Sequence, residues 1–118
     1  MLEKDLERRL VDAIKKMGGL CLKFVSPGND GMPDRIVLFE GGKVGFVEVK
    51  RHGQRPRPLQ LYRLSILQDL GLKVYVLDDP AQIENIIKDI QNQKSGKNIT
   101  EAQNQKPNIT EIQGGDAR

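Results

Sequence analysis

Leu2, Leu6, Leu10, Ala13, Ile14 and Met17 recur at intervals of three and four, which predicts an amphipathic helix over residues 2–17. Gly18 and Gly19 end it. Residues 20–25 read as a first strand, followed by Ser26, Pro27, Gly28, Asn29, Asp30 and Gly31, all turn formers. Residues 33–50 then hold two apolar runs joined by Gly41 and Gly42, the pattern of a hairpin. Pro58 suits the first turn of a second helix, reaching to Leu70 with Gly71 as its stop. Leu59, Tyr62, Leu64, Ile66, Leu67 and Leu70 give that helix more than one apolar stripe. A strand over 73–78 follows. Asp79 caps a third helix with Pro80 at its first position and Ile83, Ile86, Ile87 and Ile90 on one face. Strands thus alternate with helices, an α/β pattern.

The periodicity fades after Gln91. Residues 92–118 are mainly polar, with Asn, Gln, Gly, Lys and Thr prominent and few apolar positions, and Asn-Ile-Thr-Glu occurs at 98–101 and again at 108–111. Such a segment cannot offset the entropy of ordering, so a polar tail without fixed structure is expected behind a single domain over 1–91. The Asn-Ile-Thr triplets match glycosylation acceptors, but nothing else points to secretion.

At 118 residues the chain is long enough for one core without metal or disulfide support. Its formal net charge of +3 is compatible with a nucleic-acid partner without demanding one. Cys21 is the single cysteine, which excludes a disulfide framework, and it reads as a small core residue. His52 is the single histidine, so no histidine pair can hold zinc. No apolar run approaches the ~18 residues of a membrane span, and no signal-peptide pattern opens the chain, so a cytoplasmic protein is expected.

The informative feature is where the acids fall. Along residues 44–50, Phe46, Glu48 and Lys50 share one face and Val47 and Val49 the other. Asp34 opens the preceding strand directly after Pro33, with 13 residues between the two acids. Paired strands would bring Asp34 and Glu48 to one point with Lys50 beside them. Two carboxylates held together repel unless a cation sits between them, and oxygen ligands suit Mg2+ or Mn2+. Residues 50–57 then carry Lys50, Arg51, Arg55 and Arg57 with His52 and no acid, a stretch placed to meet phosphates. Lys23 reads equally as an outward-facing strand residue or a phosphate contact. Glu3 and Glu7 lie one turn apart on the flank of the first helix and read, on spacing alone, as solvated acids near a helix N-terminus.

Together these residues resemble the PD-(D/E)XK nuclease superfamily and, within it, the VRR-NUC family. The resemblance runs over residues 3–80. It is carried by Glu7-Arg8-Arg9-Leu10-Val11, Gly18-Gly19, residues 23–28, Gly31-Met32-Pro33-Asp34-Arg35, Phe46-Val47-Glu48-Val49-Lys50, Gln60 and residues 67–71. It implies a restriction-endonuclease-like core, a mixed sheet flanked by helices in αβββαβ order. It implies a Mg2+ or Mn2+ ion held by Asp34, Glu48, the Val49 carbonyl and a first-helix glutamate, which falls on Glu7 with Glu3 close by. Lys50 would be catalytic, Gln60 would position a water or the phosphate, and Ser26 resembles the loop serine of archaeal junction resolvases. DNA contacts are expected from Lys23, Ser26, Arg51, Arg55 and Arg57.

The expected activity is metal-dependent, structure-selective cleavage of DNA, with Holliday-junction resolution by a homodimer as the leading form. A monomeric flap- or nick-directed nuclease is the alternative. A silent nucleic-acid-binding module is disfavoured because it has no use for two acids near phosphates.

Overall fold

The computed structural model describes residues 1–94, and the polar stretch from 95 onward lies outside them. Four strands form one sheet in the order β1-β2-β3-β4: β1 (Leu20–Lys23), β2 (Arg35–Phe39), β3 (Lys43–Val49) and β4 (Lys73–Leu77). The first three are antiparallel neighbours and β4 runs parallel to β3. A parallel partner needs a crossover, and α2 (Pro58–Asp69) supplies it. With α1 (Glu3–Lys16) before the sheet and α3 (Ile83–Gln91) after it, the order and the mixed sheet are those expected.

Residue pairing divides the sheet into two faces. Directly opposed residues share a face, so Cys21, Val37, Gly45 and Tyr75's partner Val47 point one way. Leu22, Ile36, Phe46 and Val76's partner Glu48 point the other way. On the first face Leu6, Leu10 and Ile14 of α1 and Ile83, Ile86, Ile87 and Ile90 of α3 close over Val37, Phe39, Val47, Val49 and Leu77. Gly45 permits the closeness: a Cβ there would stand 2.6 Å from Ile90 Cδ1. Cys21 packs against this core half-buried. Burial pushes its thiol up to about 11, with Arg35 opposing and Glu7 adding, so it is not poised to react.

The second face is only partly covered. Helix α2 packs chiefly on β4, burying Gln60, Leu64 and Leu67. Several of its apolar residues are not absorbed within the subunit: Tyr62 is 58% exposed, Leu59 and Leu61 are also in solvent, and Leu70 at its C-terminal end is 72% exposed. Leu20 and Leu22 on β1 are exposed as well.

Boundaries differ from the sequence expectation by more than one residue at two places. Strand β1 stops at Lys23, whose partner Arg35 is the first residue of β2. Two residues before it, ahead of Asp34, stands Pro33, which has no N–H to continue a ladder. The third helix starts with a 3-10 turn, Pro80–Gln82, before α3 proper. Asp79 caps it by accepting from the Ala81 N–H, and the Gln82 amide folds back onto Asp78.

Candidate active site

The hairpin of β2 and β3 turns at Gly41 and Gly42, both at positive φ, and its other end carries the acids. Asp34 lies just ahead of β2. Its carbonyl accepts from the Phe24 N–H at 2.9 Å, which fixes the main chain there. Its Oδ2 accepts from the Val49 N–H at 2.9 Å, so the Asp34 side chain reaches across to the strand that carries Glu48. Glu48 is 1% exposed, on the same face as Phe46, whose ring meets Phe24 edge-on at 5.3 Å.

The two oxygens of Glu48 differ. Oε2 accepts from Gln60 Nε2 at 2.6 Å and lies 3.4 Å from Lys50 Nζ. Oε1 is buried with no hydrogen-bond partner among the described residues. A buried carboxylate oxygen without a partner is costly. Accordingly the Glu48 pKa is pushed up to about 7, by burial first and by the Asp34 charge second, with Lys50 opposing and Glu3 adding a little. Oxygen ligands, a carboxylate lacking a partner and a second acid at hand fit a hard divalent cation. No three His, Cys, Asp or Glu side chains converge as a ready-made cage among the described residues. A pair of acids suits Mg2+, which keeps several waters.

The first-helix acids separate. Glu7 Oε2 takes a 2.6 Å hydrogen bond from Arg35 Nε, and Arg35 also donates to the Cys21 carbonyl at 3.3 Å. Arg35 opposes Val47, on the sheet face away from Glu48, so Glu7 is tied to the far side. The helix acid whose charge acts on Glu48 is Glu3. Helical spacing did not mark the difference, because both acids flank the stripe of Leu6, Leu10 and Ile14.

Gln60 is 8% exposed and touches Glu48 directly, with its Oε1 accepting from the Arg57 N–H at 2.8 Å. Lys50 leaves the strand with its N–H on the Leu77 carbonyl. Arg51, Arg55 and Arg57 are exposed in the segment between β3 and α2. Ser26 accepts from the Asn29 side chain within the loop of residues 26–31. That loop is latched to α2: Arg63 Nε donates to the Asp30 carbonyl at 3.0 Å, and a Cβ on Gly31 would stand 2.8 Å from Leu59 Cγ. Neither Arg35 nor Arg63 stood out in the sequence as an organiser. Lys23 is exposed and opposes Arg35, on the face away from Glu48.

The fold is that of a restriction-endonuclease-like α/β core. No protein-family model matches the chain. Over 76 residues it is 47% identical to "Putative nuclease p44" of Acyrthosiphon pisum secondary endosymbiont phage 1, a stretch covering 64% of this chain and 82% of that relative. A solved structure described as "VRR_NUC domain" matches with a TM-score of 0.69 and 29% identity, covering 73% of this chain and 94% of its own. The chain belongs to the VRR-NUC family of nucleases.

Proposed function

We propose that this nuclease is a Mg2+- or Mn2+-dependent, structure-selective DNA endonuclease in which Asp34 and Glu48 hold the ion. The observation that carries this reading is Glu48 Oε1, buried without a partner beside a second acid. The Val49 carbonyl is the third candidate ligand, and Glu3 replaces Glu7 as the helix acid because Arg35 already engages Glu7. A divalent ion there supplies Lewis-acid stabilisation of phosphate charge and makes water more acidic. Lys50, held 3.4 Å from Glu48, stabilises charge that builds on the phosphate oxygens as the phosphodiester is cut. Arg51, Arg55 and Arg57 bind backbone phosphates, and the latched loop with Ser26 flanks them, so recognition is of shape and not of bases.

The working form in this proposal is a homodimer that resolves four-way junctions. Support comes from the apolar residues left in solvent: Leu20 and Leu22 on the second face of the sheet, Leu59, Leu61 and Tyr62 on α2, and Leu70 just past its end. A two-fold interface uses one patch twice, so a modest surface on each copy suffices. Incubation with Mn2+ or Mg2+ and a panel of junction, flap, nicked, duplex and single-stranded DNA tests the activity. Light scattering of the protein alone and with junction DNA tests the assembly. No metal-stimulated cleavage of any substrate sinks the enzyme reading. A monomer mass that persists on junction DNA leaves a flap- or nick-directed nuclease instead. No described helix is long and apolar enough to cross a membrane, and the proposed place of action is the cytoplasm of a bacterial host.

A further inference from the structure

Glu48 and Gln60 are the two buried polar side chains among the described residues, and they touch. Family resemblance gives Gln60 the task of orienting a water or the phosphate through its amide. Its amide is already engaged at both ends. Oε1 accepts from the Arg57 N–H at 2.8 Å, and Nε2 donates to Glu48 Oε2 at 2.6 Å. A main-chain N–H can only donate, so Arg57 decides which end of the amide turns to Glu48. That end is the donor, which a carboxylate oxygen requires. With Oε2 anchored by Gln60 and approached by Lys50, the oxygen left over is Oε1.

We infer that Gln60 is a positioning residue for Glu48: it fixes the carboxylate so that Oε1 faces the ion, and Arg57, through its main-chain N–H, fixes Gln60. The inference rests on the proposed role of Glu48 as a metal ligand. It places Gln60 behind the ligand and out of contact with substrate. It also makes the start of α2, where the basic segment ends, part of the support of the metal site. Hydrogen-bond partners behind a ligand commonly control metal affinity by 10- to 100-fold.

The test is titration of the full chain with Mn2+ alone, without DNA, followed by calorimetry or by the spin-resonance signal of free Mn2+. Gln60→Met keeps the length and apolar body of the side chain and removes both polar contacts. It is expected to weaken Mn2+ binding about 10- to 100-fold, while metal-free binding to DNA is unchanged. A second pair of variants keeps Gln60 itself. Arg57 has φ −68°, which proline adopts, so Arg57→Pro differs from Arg57→Ala chiefly by the missing N–H. Arg57→Pro should bind Mn2+ more weakly than Arg57→Ala. If Gln60→Met binds Mn2+ as the natural protein does and loses only turnover, Gln60 serves the substrate and the inference is overturned. Equal affinities in the two Arg57 variants overturn it as well. A natural protein that binds no Mn2+ would be a different result: it removes the metal reading, and this inference with it.

Discussion

The two faces of the sheet do different work. On one, two helices close over Val37, Val47, Val49 and Leu77 with no buried polar side chain among the core residues. On the other, a single helix packs chiefly on β4, two polar side chains are buried, and apolar residues stand in solvent. The larger buried apolar cluster lies on the first face. The second tolerates a carboxylate oxygen without a partner, which the first allows it to carry. Local energetic frustration of this kind is the mark of a functional site.

Changes at the acids should separate the faces most sharply. Asp34→Asn or Glu48→Gln is expected to abolish cleavage while DNA binding persists in a gel-shift assay; full activity in either variant would remove the assigned site. Lys50→Ala should cost roughly 100-fold or more in turnover if it stabilises transition-state charge. Mn2+ affinity should change far less than in the acid variants, and an equal loss of binding would make Lys50 structural.

On the sealed face, Ile90→Ala removes a fully buried side chain and should cost about 2–5 kcal/mol in denaturant melts. Leu20→Ser on the open face should stay within about 0.5 kcal/mol for a monomer. A much larger loss at Leu20, one that depends on protein concentration, would show that the open face is covered in a dimer.

Next in size is the response to pH. Glu48 titrates near 7 in the folded protein, above its usual value, so the folded state holds an extra proton between about pH 4.5 and 7. Its contribution is complete below pH 4.5 and fades as pH rises through 7. The metal-free melting temperature should therefore carry a falling component across that window. Added Mg2+ should raise the melting temperature more at pH 8 than at pH 5, because proton and ion compete for one carboxylate. A Mg2+ effect independent of pH would detach Glu48 from the metal.

The smallest expected effect lies at the rim. Replacing Arg51, Arg55 and Arg57 with Ala should flatten the salt dependence of DNA binding by about one unit per lost phosphate contact. An unchanged slope would return that segment to ordinary surface.

Much of this was legible in the sequence, for identifiable reasons. Period-two alternation put Glu48 on one face and Val47 and Val49 on the other, and residue pairing in the sheet agrees; Lys50 lies just past β3 and reaches Glu48 at 3.4 Å. Helix spacing alone could not choose between Glu3 and Glu7, since both flank the same stripe; the choice needed Arg35, 28 positions away from Glu7. Gln60 was legible as a residue of interest but not its partners, because a side-chain amide offers both a donor and an acceptor until its neighbours are placed. The excess of apolar residues on α2 was visible as composition, but which of them stay in solvent depends on how the crossover lands on β4.

The hairpin that carries both acids also limits how this protein can tolerate insertions and deletions. Asp34 and Glu48 lie at its open end and Gly41 and Gly42 at its turn. One residue gained or lost on one arm would rotate every later side chain of β3 to the opposite face. Val47 and Val49 would turn toward the site, and Glu48 would be driven in among Leu10, Ile14 and Ile90. Every motif would remain intact when read as letters, yet the nuclease would be lost. Two residues gained or lost would return each side chain to its own face. Length changes within the arms should therefore survive selection in even steps, and odd ones only where a bulge absorbs the extra residue.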